Sequence, residues 1–194
     1  VRLPGLPEGQ VPVTRAQLEW RLVYALVVAG KSARFANGAV KRLQEVIPRG
    51  CLRIPILFLG VGEPGPFLRA ARTGNYGKLE AACRALREAG LDLFAVTPEE
   101  LERIPGIGPK TSRFFVTWTR PWEKYAVLDR HVLRWLRERG HPTPSTPPGS
   151  GRLYGALEAI YLREAEAAGK TPRGLDLEIW RAAATADNVV EDVE

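Results

Sequence analysis

Ile104-Pro105-Gly106-Ile107-Gly108-Pro109-Lys110 is the stretch that decides how this chain folds. Two glycines with one residue between them make a tight turn. Glycine reaches positive φ without strain and clears side chains where a backbone must approach another molecule closely. Pro109 belongs at the first position of a following helix, where its missing N–H costs nothing. Upstream, Thr97-Pro98-Glu99-Glu100 has the form of a capping box, with threonine as N-cap, proline at N1 and glutamate at N3. Val96 and Leu101 are spaced for the accompanying hydrophobic staple. Downstream, residues 111–119 put Phe114, Phe115 and Trp118 on a face to be buried, and Pro121 ends that helix. The reading is helix, glycine hairpin, helix. Its outward-pointing N–H groups suit a phosphate and would position a duplex without reading its sequence.

Beyond Lys110 comes Val127-Leu128-Asp129-Arg130-His131-Val132-Leu133-Arg134. Asp129 stands where a helix N-cap should be, ahead of a basic amphipathic helix over 130–139 with Val132, Leu133 and Leu136 inward and Gly140 closing it. Toward the N-terminus, Leu18, Leu22, Ala25, Leu26 and Ala29 recur at helical spacing after Thr14, a capping candidate. A second helix runs through Phe35, Ala39, Val40, Leu43 and Ile47 to Pro48. Residues 1–13 read as an extended arm interrupted by Pro4, Pro7 and Pro12. The Pro/Gly-rich segment 48–66 holds an apolar island, 54–59, that fits a helical turn or a strand equally well. Further helices are expected over 77–89, 152–168 and 175–184, with a loop at 141–151. Almost every periodic segment is helical, so the expected fold is all-α.

Composition narrows the function. The chain has 194 residues and a net charge of +6, which favours a polyanionic partner without proving one. Two cysteines, Cys51 and Cys83, cannot supply the four ligands of an iron–sulfur cluster and read as small buried apolar residues. With only His131 and His141 besides, no metal site is expected. No apolar run reaches the length of a membrane span. A soluble, cytoplasmic, monomeric protein without cofactors is the expectation, with His131 structural or close to a phosphate.

The hairpin 104–110 and the segment 127–134, taken together, resemble the helix-hairpin-helix signature of the DNA glycosylase superfamily, which includes endonuclease III and the 8-oxoguanine glycosylase/lyases. The resemblance implies a two-lobed all-α fold with a DNA-binding cleft between the lobes. One lobe would comprise 1–30 and 130–194, the other 31–129 with the helix-hairpin-helix at about 97–119. It implies that Lys110 is the nucleophile and Asp129 the catalytic carboxylate. Gly106, Ile107, Gly108, Lys31 and Arg134 would grip DNA phosphates. Gly30-Lys31-Ser32 lies where members place the residue that fills the hole left by a flipped base, which makes Ser32 a wedge candidate; an ordinary helix–helix turn is the alternative.

The segment Leu175-Asp176-Leu177-Glu178-Ile179-Trp180 resembles one found in compact archaeal and bacterial 8-oxoguanine glycosylase/lyases. Trp180 would then stack on the flipped base, or be an ordinary buried helix tryptophan, and Asp176 would orient the base or cap the helix. The acidic residues at 187–194 depart from the basic C-termini of that group. The implied activity is excision of 8-oxoguanine from damaged double-stranded DNA in base excision repair, through a lysine Schiff base and β-elimination. The alternatives are an endonuclease III-like glycosylase for oxidised pyrimidines or another damaged base, and a non-catalytic helix-hairpin-helix DNA-binding protein.

Overall fold

Most helices in this chain begin at threonine, serine, aspartate or proline signals and several stop beside a glycine, as the computed structural model shows. It describes residues 14–48, 55–59, 65–149 and 151–191, with the backbone alone at 57, 58 and 184–191. The arm read over 1–13, Cys51 and Ile54 lie outside the described residues. Among the described residues every element is helical, which bears out the all-α expectation. None of their helices is long and apolar enough to cross a membrane. The chain packs as two compact units, Val1–Phe115 and Val116–Glu194.

In the first unit, α1 (Arg15–Val28) opens with a capping box. The Thr14 hydroxyl accepts the Gln17 N–H at 3.3 Å and the Gln17 side chain accepts the Thr14 N–H at 3.0 Å. Gly30, at φ +73°, turns the chain into α2 (Ala33–Val46), which starts on Ser32 and ends ahead of Pro48. The apolar island is a helical turn, α3 (Pro55–Leu59). Its start is held by Glu19, a buried carboxylate on α1 that accepts the Ile56 N–H at 3.3 Å and pairs with Arg15 at 3.0 Å. Next is α4 (Pro66–Ala70), a short helix with proline in its first turn, which starts where the Pro/Gly-rich segment ends and which the sequence reading did not assign. After it, α5 (Tyr76–Ala89) ends at Gly90 in the left-handed region. Then α6 (Pro98–Glu102) starts on Thr97 with the expected capping box complete. Contacts run from α1 to α2 and α3, from α3 to α5 and from α2 to α4. Leu22, Leu43, Leu68 and Leu101 are fully buried, each such side chain contributing about 1.5–3 kcal/mol relative to exposure.

The division between units falls within α7 (Pro109–Thr119), after Phe115. Phe115 is fully buried as expected, but Phe114 and Trp118 are only half-buried. Phe114 lies against Tyr24, ring centres 6.4 Å apart, and against the Lys110 ammonium, so its ring covers a neighbour instead of entering the core.

The second unit comprises α8 (Arg130–Glu138), α9 (Gly151–Ala167) and α10 (Pro172–Glu191), with α10 packed on both others. Leu128, Leu133, Leu136, Tyr154, Leu157 and Tyr161 form the centre of its core. The start of α10 lies three residues ahead of the expected Leu175. Thr171-Pro172 repeats the Thr97-Pro98 signal, and the Thr171 hydroxyl accepts the Gly174 N–H at 3.1 Å.

Candidate functional site

The hairpin between α6 and α7 forms from its own backbone. Gly106 sits at φ +89°, where an L side chain is strained, and a Cβ there would meet the Lys78 side chain at 3.1 Å. Ile107 is buried and donates its N–H to the Ile104 carbonyl at 3.1 Å, closing the turn. The Gly108 carbonyl then accepts from Thr111 and Ser112, both at 3.0 Å, launching α7. Among the described backbone hydrogen bonds the turn makes, none uses the N–H of Gly106 or Gly108. A Cβ at Gly108 would meet nothing within 4 Å, so space stands open on that side of the turn. Backbone donors left unused by the turn at a helix start are what an incoming phosphate needs.

An ionic brace fixes the angle of α7 on α6. Arg113, 8% exposed, pairs with the Glu102 carboxylate and lies 3.7 Å from Glu99. The Ser112 hydroxyl donates to Glu102 at 2.9 Å. Nothing in the sequence reading singled out Ser112 or Arg113. The signal was present, because an arginine on a helix facing two glutamates of the preceding capped helix is a cross-hairpin pair.

Lys110 is the second residue of α7, half-buried, its ammonium 5.0 Å from the centre of the Phe114 ring one turn on. A π face attracts the cation and confines its stem. Lys31 is tied elsewhere: its ammonium donates to the Thr73 carbonyl and lies 4.6 Å from the Phe35 ring, and partial burial lowers its amine below the ordinary lysine value. A Cβ at Gly74, which is at φ +63°, would meet that amine at 2.6 Å, so Gly74 makes room for it. Lys31, Asn75, Lys78 and Gly106 line one small pocket beside the hairpin. Ser32 is exposed and accepts the Phe35 N–H at 3.2 Å as the N-cap of α2.

In the second unit Asp129 is the N-cap of α8. Its Oδ1 accepts both the His131 N–H at 2.8 Å and the Val132 N–H at 2.9 Å, and Oδ2 takes part in neither bond. The extended segment leading to it is pinned from α9. The buried Tyr154 hydroxyl donates to the Ala126 carbonyl at 2.8 Å and accepts the Leu128 N–H at 3.0 Å, while Glu158 accepts the Ala126 N–H at 2.8 Å. Tyr154 and Glu158 escaped the sequence reading; only their one-turn spacing on an apolar helix hinted at a shared job. Arg134, one turn from the start of α8, is exposed and lies 3.9 Å from Glu138.

Asp176 does not cap α10, because the helix starts at Pro172 and leaves this carboxylate one turn inside. It pairs instead with Arg173. Trp180, one turn further, is 38% exposed and therefore not the buried helix tryptophan offered as an alternative. Beneath this face the Tyr161 hydroxyl donates to the Pro172 carbonyl at 2.8 Å. Burial pushes that phenol far above its ordinary value; the carboxylates of Asp176, Asp129 and Glu178 add to this, and Arg173 opposes it. Asp129 and Asp176 are thus both close enough to Tyr161 to act on it.

Comparison with known proteins extends the resemblance from two motifs to most of the chain. The 8-oxoguanine DNA glycosylase/AP lyases of Thermotoga petrophila, Thermotoga neapolitana and Thermotoga maritima are each 29% identical to it over 172 residues, spanning 86% of this chain and 80% of theirs. The crystal structure of the 8-oxoguanine DNA glycosylase of Thermotoga maritima superposes with a TM-score of 0.64 at 27% identity, covering 86% of this chain and 79% of that one. No protein-family model matches the chain. The likeness to the helix-hairpin-helix glycosylases holds in sequence and in fold.

Proposed function

We propose that the chain is a bifunctional DNA glycosylase/AP lyase that removes 8-oxoguanine from duplex DNA. The observation that carries this reading is Lys110 at the start of the helix behind the glycine hairpin, with Asp129 capping α8, in a chain similar over most of its length to relatives of that name. In this reading the hairpin amides of Gly106 and Gly108 grip a phosphate, with Lys31 and Arg134 adding positive charge along the backbone. The neutral Lys110 amine attacks C1′ of the damaged nucleotide. A C–N bond forms there, the glycosidic bond breaks, and its electron pair leaves with the base, which takes up a proton. The amine proton passes to the departing base, and the Asp129 carboxylate stabilises the positive charge that builds on the sugar. The sugar ring then opens to an imine. Loss of a C2′ proton expels the 3′ phosphate, and water releases Lys110. Asp176 and Trp180 meet the flipped base, the one through hydrogen bonds and the other by stacking, and Ser32 lies beside the gap that base leaves.

Borohydride trapping on a panel of duplexes tests the reading. The panel holds 8-oxoguanine opposite each base, thymine glycol, uracil, an abasic site and undamaged DNA. A covalent adduct on 8-oxoguanine that disappears in Lys110→Gln, with duplex binding largely retained, is the expected result. Trapping on thymine glycol alone would move the activity to oxidised pyrimidines. Cleavage that survives in Lys110→Gln would overturn the assignment of the amine.

A further inference from the structure

Arg173, Asp176 and Trp180 fall on one stripe of α10, because positions three, four and seven apart share a helix face. Leu175 and Ile179, on the adjacent face, are buried in the core of the second unit. The Arg173–Asp176 pair is not an ordinary surface pair. The two side chains are only 16% and 13% exposed, so both charges have given up most of their water. An exposed ion pair gains little and wanders, whereas a covered one holds its partners in a fixed geometry. Trp180 beside it keeps an exposed ring. An anchored carboxylate next to an open aromatic face is a recognisable device: a flat heterocycle stacks on the ring while its N–H edge meets the acceptor.

We infer that Arg173 is a positioning residue for base recognition, holding the Asp176 carboxylate oriented and charge-balanced so that it accepts hydrogen bonds from the N–H edge of a purine stacked on Trp180. The inference rests on the glycosylase reading above and adds a residue that no motif in the sequence pointed to. The guanidinium acts through Asp176 and does not itself touch the base. Without it, two things change: the carboxylate swings out toward water, and its negative charge is left uncompensated near the buried Tyr161 hydroxyl.

Two substrates separate base recognition from lysine chemistry. Excision from an 8-oxoguanine duplex needs the base face, whereas strand cleavage at a preformed abasic site does not. Arg173→Gln is expected to lower kcat/KM on the 8-oxoguanine duplex by about 10- to 100-fold, well short of the roughly 10⁴–10⁵-fold that a substrate hydrogen bond left unmade can cost, because Asp176 is misplaced and not removed. Cleavage at the abasic site should stay within about threefold of the unaltered protein. Arg173→Lys, which keeps the charge, should recover part of the loss. In an Asp176→Asn background, Arg173→Gln should cost nothing further, because both substitutions break one unit. Equal losses on the two substrates would show that Arg173 only supports the fold. Additive losses with Asp176→Asn, or undiminished excision in Arg173→Gln, would also overturn the inference. An unaltered protein inactive on both duplexes would instead defeat the glycosylase reading on which it rests.

Discussion

The Tyr154 hydroxyl accepts the N–H of Leu128 at 3.0 Å, one residue before Asp129, and so a side chain from the first turn of α9 sets where α8 begins. The same hydroxyl donates to Ala126, clamping both ends of the three-residue approach to the capping aspartate. Tyr154→Phe keeps the ring and its packing but strands a buried N–H and a buried carbonyl. Each stranded group costs about 1–3 kcal/mol. The expected outcome is a lower urea midpoint together with slower borohydride trapping, because Asp129 loses its fixed approach. Unchanged trapping in a destabilised variant would confine Tyr154 to folding.

Asp129 combines a cap with a charge, and substitution can separate them. Asparagine keeps an oxygen that can accept the His131 and Val132 amides. Asp129→Asn should therefore stay near the unaltered stability while excision falls by about 10²–10³-fold, the scale for losing one transition-state electrostatic contact. Asp129→Ala should lose activity similarly and about 0.5–2 kcal/mol of stability as well. Chemical denaturation of the two variants alongside single-turnover excision decides between the roles.

The hairpin glycines differ in what they tolerate. Gly106→Ala places a side chain at φ +89° against the stem of Lys78 and should cost about 1–2 kcal/mol. Gly108→Ala meets nothing in the protein and has no positive φ to strain it. It should leave thermal unfolding close to the unaltered protein while weakening duplex binding, since its methyl group stands where a phosphate would approach. Tight binding retained in Gly108→Ala would remove that glycine from the phosphate grip.

Alkali should weaken the fold in a definite window. Burial, with smaller contributions from Glu19 and Glu80, pushes the Cys83 thiol from an ordinary value of 9.0 up to about 12. Burial likewise pushes the Tyr24 phenol from 10.0 up to about 12. Both folded-state values are raised, so ionisation of the unfolded chain disfavours folding, and the penalty grows with pH until the folded groups ionise as well. Their stabilising effect is intact below about pH 9 and is lost as pH rises from about 9 to 12. Urea titrations at a series of alkaline pH values should show this fall, with a shallower slope in Cys83→Ala.

The local grammar of the chain was legible from its residues. Thr97, Glu100 and the glycines of the hairpin announce their geometry in their identities, because caps and tight turns are built from neighbours. The first turn of α10 was equally legible in Thr171-Pro172, yet a reading led by the apolar spacing of Leu175 and Ile179 passed over it. Other features had no local signature. The hold of Glu19 on Ile56 crosses 37 positions and that of Lys31 on Thr73 crosses 42. Such partners are chosen by packing, which spacing along a chain does not encode. For the same reason Lys31 reads in sequence as a loose cation for phosphate, while in the fold its amine also secures the turn before α5.

The bond from the Tyr161 hydroxyl to the carbonyl of Pro172 has a rotational consequence. A helix whose start slips by one residue turns every later side chain by about 100°. A slip in one sense would carry Trp180 into the buried position of Ile179 and put Arg181 in its place. By fastening the opening residue of α10 to α9, Tyr161 sets the phase of the whole helix from one end. The face that Asp176 and Trp180 share is therefore phased from the first turn of the helix.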